Sequence, residues 1–110
     1  MRRFLAALAL LAGCADEFPD HVDLVPAGAD VEFAAEPPGP AAYTLVGQVT
    51  GVAAAHDAEV AQQAARNDMR NKAAALGATL VTIDEDIGEA LPLRDKTKVK
   101  LVGRAYRPVD

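Results

Sequence analysis

Apolar side chains recur at spacings of three and four between residues 57 and 76, which predicts an amphipathic α-helix. The recurring residues are Ala61, Ala65, Met69, Ala73 and Leu76. Asp57 or His56 can cap the first turn, because a side-chain acceptor there satisfies a backbone N–H. Gly77 follows the last apolar position and suits the left-handed residue that closes many helices.

The apolar stripe of this helix is mostly alanine and one methionine, so we expect its axis to approach a sheet closely. Asp68 and Lys72 are spaced to form a supporting i, i+4 ion pair. A larger side chain at Ala65 or Ala73 should force helix and sheet apart. The remaining side is polar and is predicted to face away from the sheet, with Gln62, Gln63, Arg66, Asn67, Arg70 and Asn71.

Four segments have the alternation or the β-branched content of strands. They are residues 31–34, 43–50, 78–83 and 99–107, and a loop is predicted at 88–97. Prolines at 37, 38 and 40 should end the first strand, since proline cannot donate to a ladder. Tyr43, Leu45 and Val49 are predicted to share one face of the second strand. The order β-β-α-β-β predicts an α+β fold in which one helix packs on a small, mainly antiparallel sheet.

The N-terminus has the pattern of a bacterial lipoprotein signal peptide. Arg2 and Arg3 precede an apolar run at 4–11 that is too short to span a bilayer, and Leu11-Ala12-Gly13-Cys14 resembles a lipobox. Cys14 is the single cysteine of the chain. The resemblance implies that Cys14 carries diacylglycerol on its thiol and a fatty acyl chain such as palmitate on its amino group. A secreted protein with a free thiol and an uncleaved membrane anchor are the alternatives.

This pattern divides the chain into a signal peptide at 1–13, a lipidated cysteine and tether at 14–24, and a single domain at 25–110. Ala15 follows the cysteine, whereas enteric lipoproteins retained in the inner membrane carry aspartate there. The resemblance therefore implies an outer-membrane lipoprotein that faces the periplasm. Removal of Arg2 and Arg3 leaves nine basic and 16 acidic residues, a net charge of −7, which disfavours nucleic acid as a partner. We expect a monomer held at the membrane by its lipid.

Three motifs occur along the chain: Leu-Val-Gly-Gln-Val-Thr-Gly at 45–51, a helical segment at 65–78 containing Arg-Asn-Lys-Ala-Ala-Ala-Leu-Gly-Ala, and Val-Gly-Arg-Ala-Tyr at 102–106. Together they resemble a family of small bacterial lipoproteins catalogued as a domain of unknown function. A more distant likeness is to the RcsF-like outer-membrane stress-sensor lipoproteins. Those sensors are stabilised by disulfides. A chain with one cysteine cannot form a disulfide internally, so the signalling mechanism of the sensors does not carry over to it.

The acidic run that follows the third predicted strand invites a metal hypothesis, because hard cations take several carboxylate oxygens. Its residues are Asp84, Glu85, Asp86 and Glu89. The spacing is not that of a calcium loop, and a solvated strand end is the alternative. His21 and His56 belong to no spaced ligand set. We therefore predict no metal and no other cofactor.

Residue types that carry covalent catalysis are scarce in this chain. It contains no serine, and its one cysteine is assigned to the lipid. No threonine is accompanied by a recognisable base, and no glycine-rich phosphate loop is present. We therefore predict that the protein is not an enzyme.

The last predicted strand carries a basic strip in an otherwise acidic protein. The candidate partner-binding residues are Lys98, Lys100, Arg104, Tyr106 and Arg107. The strip could receive an acidic envelope protein, or the anionic peptidoglycan and lipid headgroups of the envelope. The alternative is that these cations protect an edge strand from aggregation. We expect a lipid-anchored envelope protein that acts by binding, in a structural or accessory stress-sensor role; a small-ligand or metal-binding periplasmic module is the alternative.

Overall fold

The computed structural model describes residues 18–109. Residues 1–17 and 110, among them the predicted signal peptide and Cys14, lie outside the described part. The elements along the chain are α1 (Pro26–Ala29), β1 (Glu32–Ala34), β2 (Tyr43–Ala55), α2 (Ala58–Ala75), β3 (Leu80–Leu91), a 3-10 helix (Pro92–Arg94) and β4 (Lys96–Pro108).

The four strands form one sheet in the order β1-β3-β4-β2. β1 is parallel to β3, whereas β4 is antiparallel to both β3 and β2. α2 packs on one face of the sheet, mainly against β2 and β4. This arrangement confirms the predicted α+β fold and its order β-β-α-β-β, and it adds one short helix, α1.

α2 agrees with the predicted helix at both ends. Asp57 is the N-cap, and its carboxylate accepts a hydrogen bond of 2.9 Å from the N–H of Glu59. His56 does not cap the helix, since its Nδ1 lies 2.7 Å from the carbonyl oxygen of Asp95. Gly77 has φ of 81°, the left-handed conformation that its position predicted.

Helix and sheet touch through very small residues. The buried stripe of α2 contains Ala61, Ala65, Met69 and Ala73, all inaccessible to solvent. Gly51 of β2 faces this stripe, and a Cβ at that position would overlap the carbonyl oxygen of Ala65 and lie 2.9 Å from the Cβ of Met69. Only glycine therefore permits the backbones of α2 and β2 to come this close.

This contact also explains why β2 is longer than predicted. The strand continues past residue 50 to Ala55, through a segment of glycine, alanine and one valine that has weak intrinsic β propensity. Ala53, Ala54 and Ala55 are buried. Packing of small side chains in and around the core thus overrides local propensity.

The loop predicted at 88–97 is wrong, because β3 and β4 form a long hairpin. β3 extends to Leu91 and pairs with β4 from Lys96 onward. Glu89 lies directly opposite Lys98. Cross-strand pairing along the hairpin compensates for residues that are poor strand formers individually. The 3-10 helix and Asp95, with φ of 53°, close the turn.

Two register shifts alter which side chains share a face. The shift between Leu45 and Gly47 leaves Val46 as a bulge in β2, and the shift between Ile83 and Glu85 leaves Asp84 as a bulge in β3. A bulge moves the residues on its two sides to opposite faces relative to simple alternation. The prediction that Tyr43 and Leu45 share a face with Val49 is therefore wrong.

The close approach of α2 to the sheet predicts a steep cost for added volume. Ala65→Leu should lower the free energy of unfolding by about 1 to 3 kcal/mol, because the new side chain has no space beside Gly51. Ala75→Leu, at an exposed position of the same helix, is the matched control and should change it by less than about 0.5 kcal/mol. Chemical denaturation measures both. Equal effects would show that the stripe is not the packed face.

Candidate binding surface

The face of the sheet opposite α2, here called the outer face, carries most of the predicted basic strip. Val99, Leu101 and Ala105 of β4 belong to the core beneath α2. Alternation therefore directs their neighbours away from the helix. The β4 side chains on the outer face are Lys98, Lys100, Val102, Arg104 and Tyr106.

Lys100 is the most exposed basic group at the centre of the outer face. Its neighbours in register are Val52 of β2 and Ile87 of β3. Ile87 is 45% exposed. Among residues 18–109, Lys100 forms no ion pair. An uncompensated ammonium between two aliphatic side chains suits contact with a partner that presents an acidic group beside apolar surface.

Arg104, by contrast, already has a carboxylate partner. Its Nε and one terminal nitrogen donate to the two oxygens of Asp84, at 3.0 and 2.9 Å. The hydrogen bond from Arg104 to Asp84 and the negative charge of Asp84 raise the pKa of Arg104. This bidentate pair holds the bulge of β3 against β4, so Arg104 has a structural role within the surface.

The other predicted strip residues have different environments. Lys98 places its Nζ 4.5 Å from the ring centroid of Phe18. Tyr106 is only 7% exposed and lies between Leu45 and Leu80 in register. Alternation puts Arg107 on the opposite face from Tyr106. The structure thus brings together Lys98, Lys100 and Arg104, buries Tyr106 and separates Arg107 from the strip.

The alternative explanation of these cations as edge protection is wrong, because β4 is a central strand. The exposed edge of β2 is protected instead by two side chains of α2. Asp68 accepts a hydrogen bond of 3.0 Å from the N–H of Val52, and Lys72 donates one of 2.9 Å to the carbonyl oxygen of Thr50. The predicted ion pair between Asp68 and Lys72 forms as well, at 3.0 Å. Asp68 and Lys72 therefore satisfy backbone groups of β2 that could otherwise pair with another strand.

Two asparagines of α2 have a function that sequence reasoning missed. Asn67 donates a hydrogen bond of 2.9 Å to the carbonyl oxygen of Val22. Asn71 donates to the carbonyl oxygen of Asp23 at 2.9 Å and accepts from the N–H of Val25 at 3.0 Å. These amides fix the segment before α1 along the helix. The sequence feature that could have indicated this role is the i, i+4 spacing of Asn67 and Asn71, because each side-chain amide can donate and accept a hydrogen bond.

The acidic residues of β3 do not converge on one point. Asp84 binds Arg104, and Asp86 accepts a hydrogen bond of 2.9 Å from Nε2 of Gln62. Glu85 and Glu89 lie on the outer face, opposite residues of β4. Within residues 18–109, no group of three or more histidine, cysteine, aspartate or glutamate side chains could hold a metal ion.

Comparison with protein families identifies a family for this chain. The model described as Domain of unknown function (DUF4156) matches residues 22–107. The chain belongs to this family. The DUF4156 match begins at Val22, the first residue that α2 holds through Asn67, and ends within β4. No curated protein matches the chain. Between residues 18 and 109, no helix has both the length and the apolar character required to cross a membrane.

The capping of the β2 edge predicts that Asp68 contributes more than a surface aspartate. Asp68→Ala should lower the free energy of unfolding by about 1 to 2 kcal/mol, because the partly buried N–H of Val52 loses its acceptor. Asp68→Asn keeps an acceptor oxygen and should cost less. Asp30→Ala, at an exposed position, is the control and should cost less than about 0.5 kcal/mol. The measurement is chemical denaturation, with light scattering to detect association through the uncapped edge. A loss no greater than that of the control would contradict this role.

Proposed function

We propose that this DUF4156 protein is a lipid-anchored component of the bacterial cell envelope that acts by binding. The observation that carries the proposal is the single cysteine, Cys14, at the end of Leu11-Ala12-Gly13-Cys14 and directly after a short apolar run with two leading arginines. Ala15 in the next position supports an outer-membrane location facing the periplasm.

The outer face supports the binding role. Residues 18–109 form two layers, a sheet and a helix, with extents of 45, 41 and 22 Å, and α2 covers only one side of the sheet. The other side presents Lys100 between Val52 and Ile87. An acidic partner, either an envelope protein or the anionic peptidoglycan, suits this combination of charge and apolar surface. A structural role and an accessory role in envelope stress sensing both use such a surface.

The lipid anchor predicts a specific effect of replacing its attachment residue. Cys14→Ser should abolish incorporation of labelled palmitate and release the protein from the membrane fraction or leave it unprocessed, because the hydroxyl cannot form the thioether. Ala15→Asp is the matched control, since it keeps Cys14 and should retain both the label and membrane attachment. Fractionation with detergent-phase partitioning measures the outcome. Unchanged partitioning of Cys14→Ser would disprove the anchor.

The binding role predicts that partners are captured at the outer face. A photo-crosslinking amino acid at position 87, directly opposite Lys100, should give discrete adducts in intact cells, identified by mass spectrometry, and Lys100→Glu should weaken co-purification of the same partner. The same crosslinker at position 75, exposed on α2, is the control and should not give those adducts. Identical adducts from both positions, or none from position 87, would contradict the assignment of this face.

A further inference from the structure

We infer that the tip of the β3–β4 hairpin, residues 92–95, contacts the bilayer to which Cys14 is anchored and so fixes the orientation of the domain. This inference rests on the proposed lipid anchor and adds a second, protein-mediated contact to it. The occupant is a phospholipid surface, and the contact is made by one leucine with basic residues behind it.

Leu93 is the most exposed large apolar residue of the described chain. It is fully exposed, at 102%, whereas the next, Leu45, is 54% exposed. It lies in the 3-10 helix Pro92–Arg94, at the end of the β3–β4 hairpin. Burial of a leucine side chain in an apolar phase is favourable by about tenfold to a hundredfold in the partition ratio. A leucine at this position is therefore suited to insertion.

The charge around the tip matches an anionic surface although the protein as a whole is acidic. Residues 89–100 contain four basic residues and two acidic residues, against a net charge of −5 for the chain. The basic residues are Arg94, Lys96, Lys98 and Lys100. Cations behind an apolar tip can contact lipid phosphates while the tip enters the interface.

Phe18 and Pro19 lie against the sheet at the same end as the tip. The carbonyl oxygen of Pro19 accepts a hydrogen bond of 2.9 Å from the N–H of Ala54, and Phe18 lies against Lys98, which pairs with Ala54 across the sheet. Four steps of chain separate Cys14 from Phe18 and span at most about 14 Å. On the other side of Lys98, Glu89 of β3 is its neighbour in register. Leu93 follows Glu89 by four residues, which places it about 10 Å further along the hairpin.

These two lengths are comparable, so one membrane plane can accommodate both the lipid on Cys14 and the side chain of Leu93. The tip is also tied to the end of β2. His56 Nδ1 lies 2.7 Å from the carbonyl oxygen of Asp95, and the N–H of Asp95 donates to the carbonyl oxygen of Pro92 at 3.3 Å. Contact of Leu93 with lipid would therefore orient the whole sheet.

The absence of tryptophan from the sequence provides a direct test. The full-length lipidated protein with Leu93→Trp is purified from membranes and reconstituted into vesicles of phosphatidylethanolamine and phosphatidylglycerol. We expect the emission of the new tryptophan to shift to shorter wavelength and to be quenched by brominated phospholipids. Val109→Trp is the matched control, because Val109 is 46% exposed and follows the opposite end of β4. Its emission should stay water-like and unquenched.

The outcomes separate the inference from the anchor on which it rests. Flotation of the protein with vesicles while the tryptophan at position 93 remains unquenched would overturn the inference and leave the anchor standing. Equal quenching at positions 93 and 109 would also overturn it, since the domain would then have no fixed orientation. Failure of the protein to float would overturn the anchor and the inference together.

Discussion

The contact between Gly51 and Ala65 determines much of this structure, because it sets how close α2 lies to β2. At this separation Asp68 and Lys72 can reach over the strand and bind the backbone groups of Val52 and Thr50. A helix carrying larger residues would lie farther from the sheet, and the same two side chains would reach solvent instead. The small residues thus have two effects: they allow dense packing without a large aromatic core, and they make the ion pair of α2 a protecting cap for an edge strand.

Sequence periodicity predicted α2 and its termini well, because a helix is defined by contacts three and four residues apart and by caps such as Asp57. It failed where structure depends on distant partners. The length of β3 depends on pairing with β4, including Glu89 opposite Lys98, and neither half of that pair predicts a strand alone. The same limitation applies to the bulge at Val46. One extra residue in a strand is recognised only from its partner's register, and it changes which side chains share a face.

The candidate surface shows the same division between local and distant information. The basic character of Lys98, Lys100 and Arg104 is evident from the sequence, and their shared face follows from alternation. The sequence does not show, however, that these three side chains differ in how available they are to a partner. Arg104 is bound by a carboxylate that reaches it only through the bulge at Asp84, whereas Lys100 lies between two aliphatic side chains. The sequence also could not show that β4 is central, since this requires β4 to pair with β3 on one side and with β2 on the other.

The position of the acidic residues bears on how the domain avoids association. In the described part of the chain, β1 pairs with residues 80–82 of β3, and the remainder of that strand edge has no neighbouring strand. This edge carries Asp84, Glu85, Asp86 and Glu89, so an antiparallel second copy would bring like charges together. The two long edges are therefore protected by different means, side-chain caps on β2 and negative charge on β3. A partner consequently has the outer face, where Lys100 is uncompensated, as the more favourable place to bind.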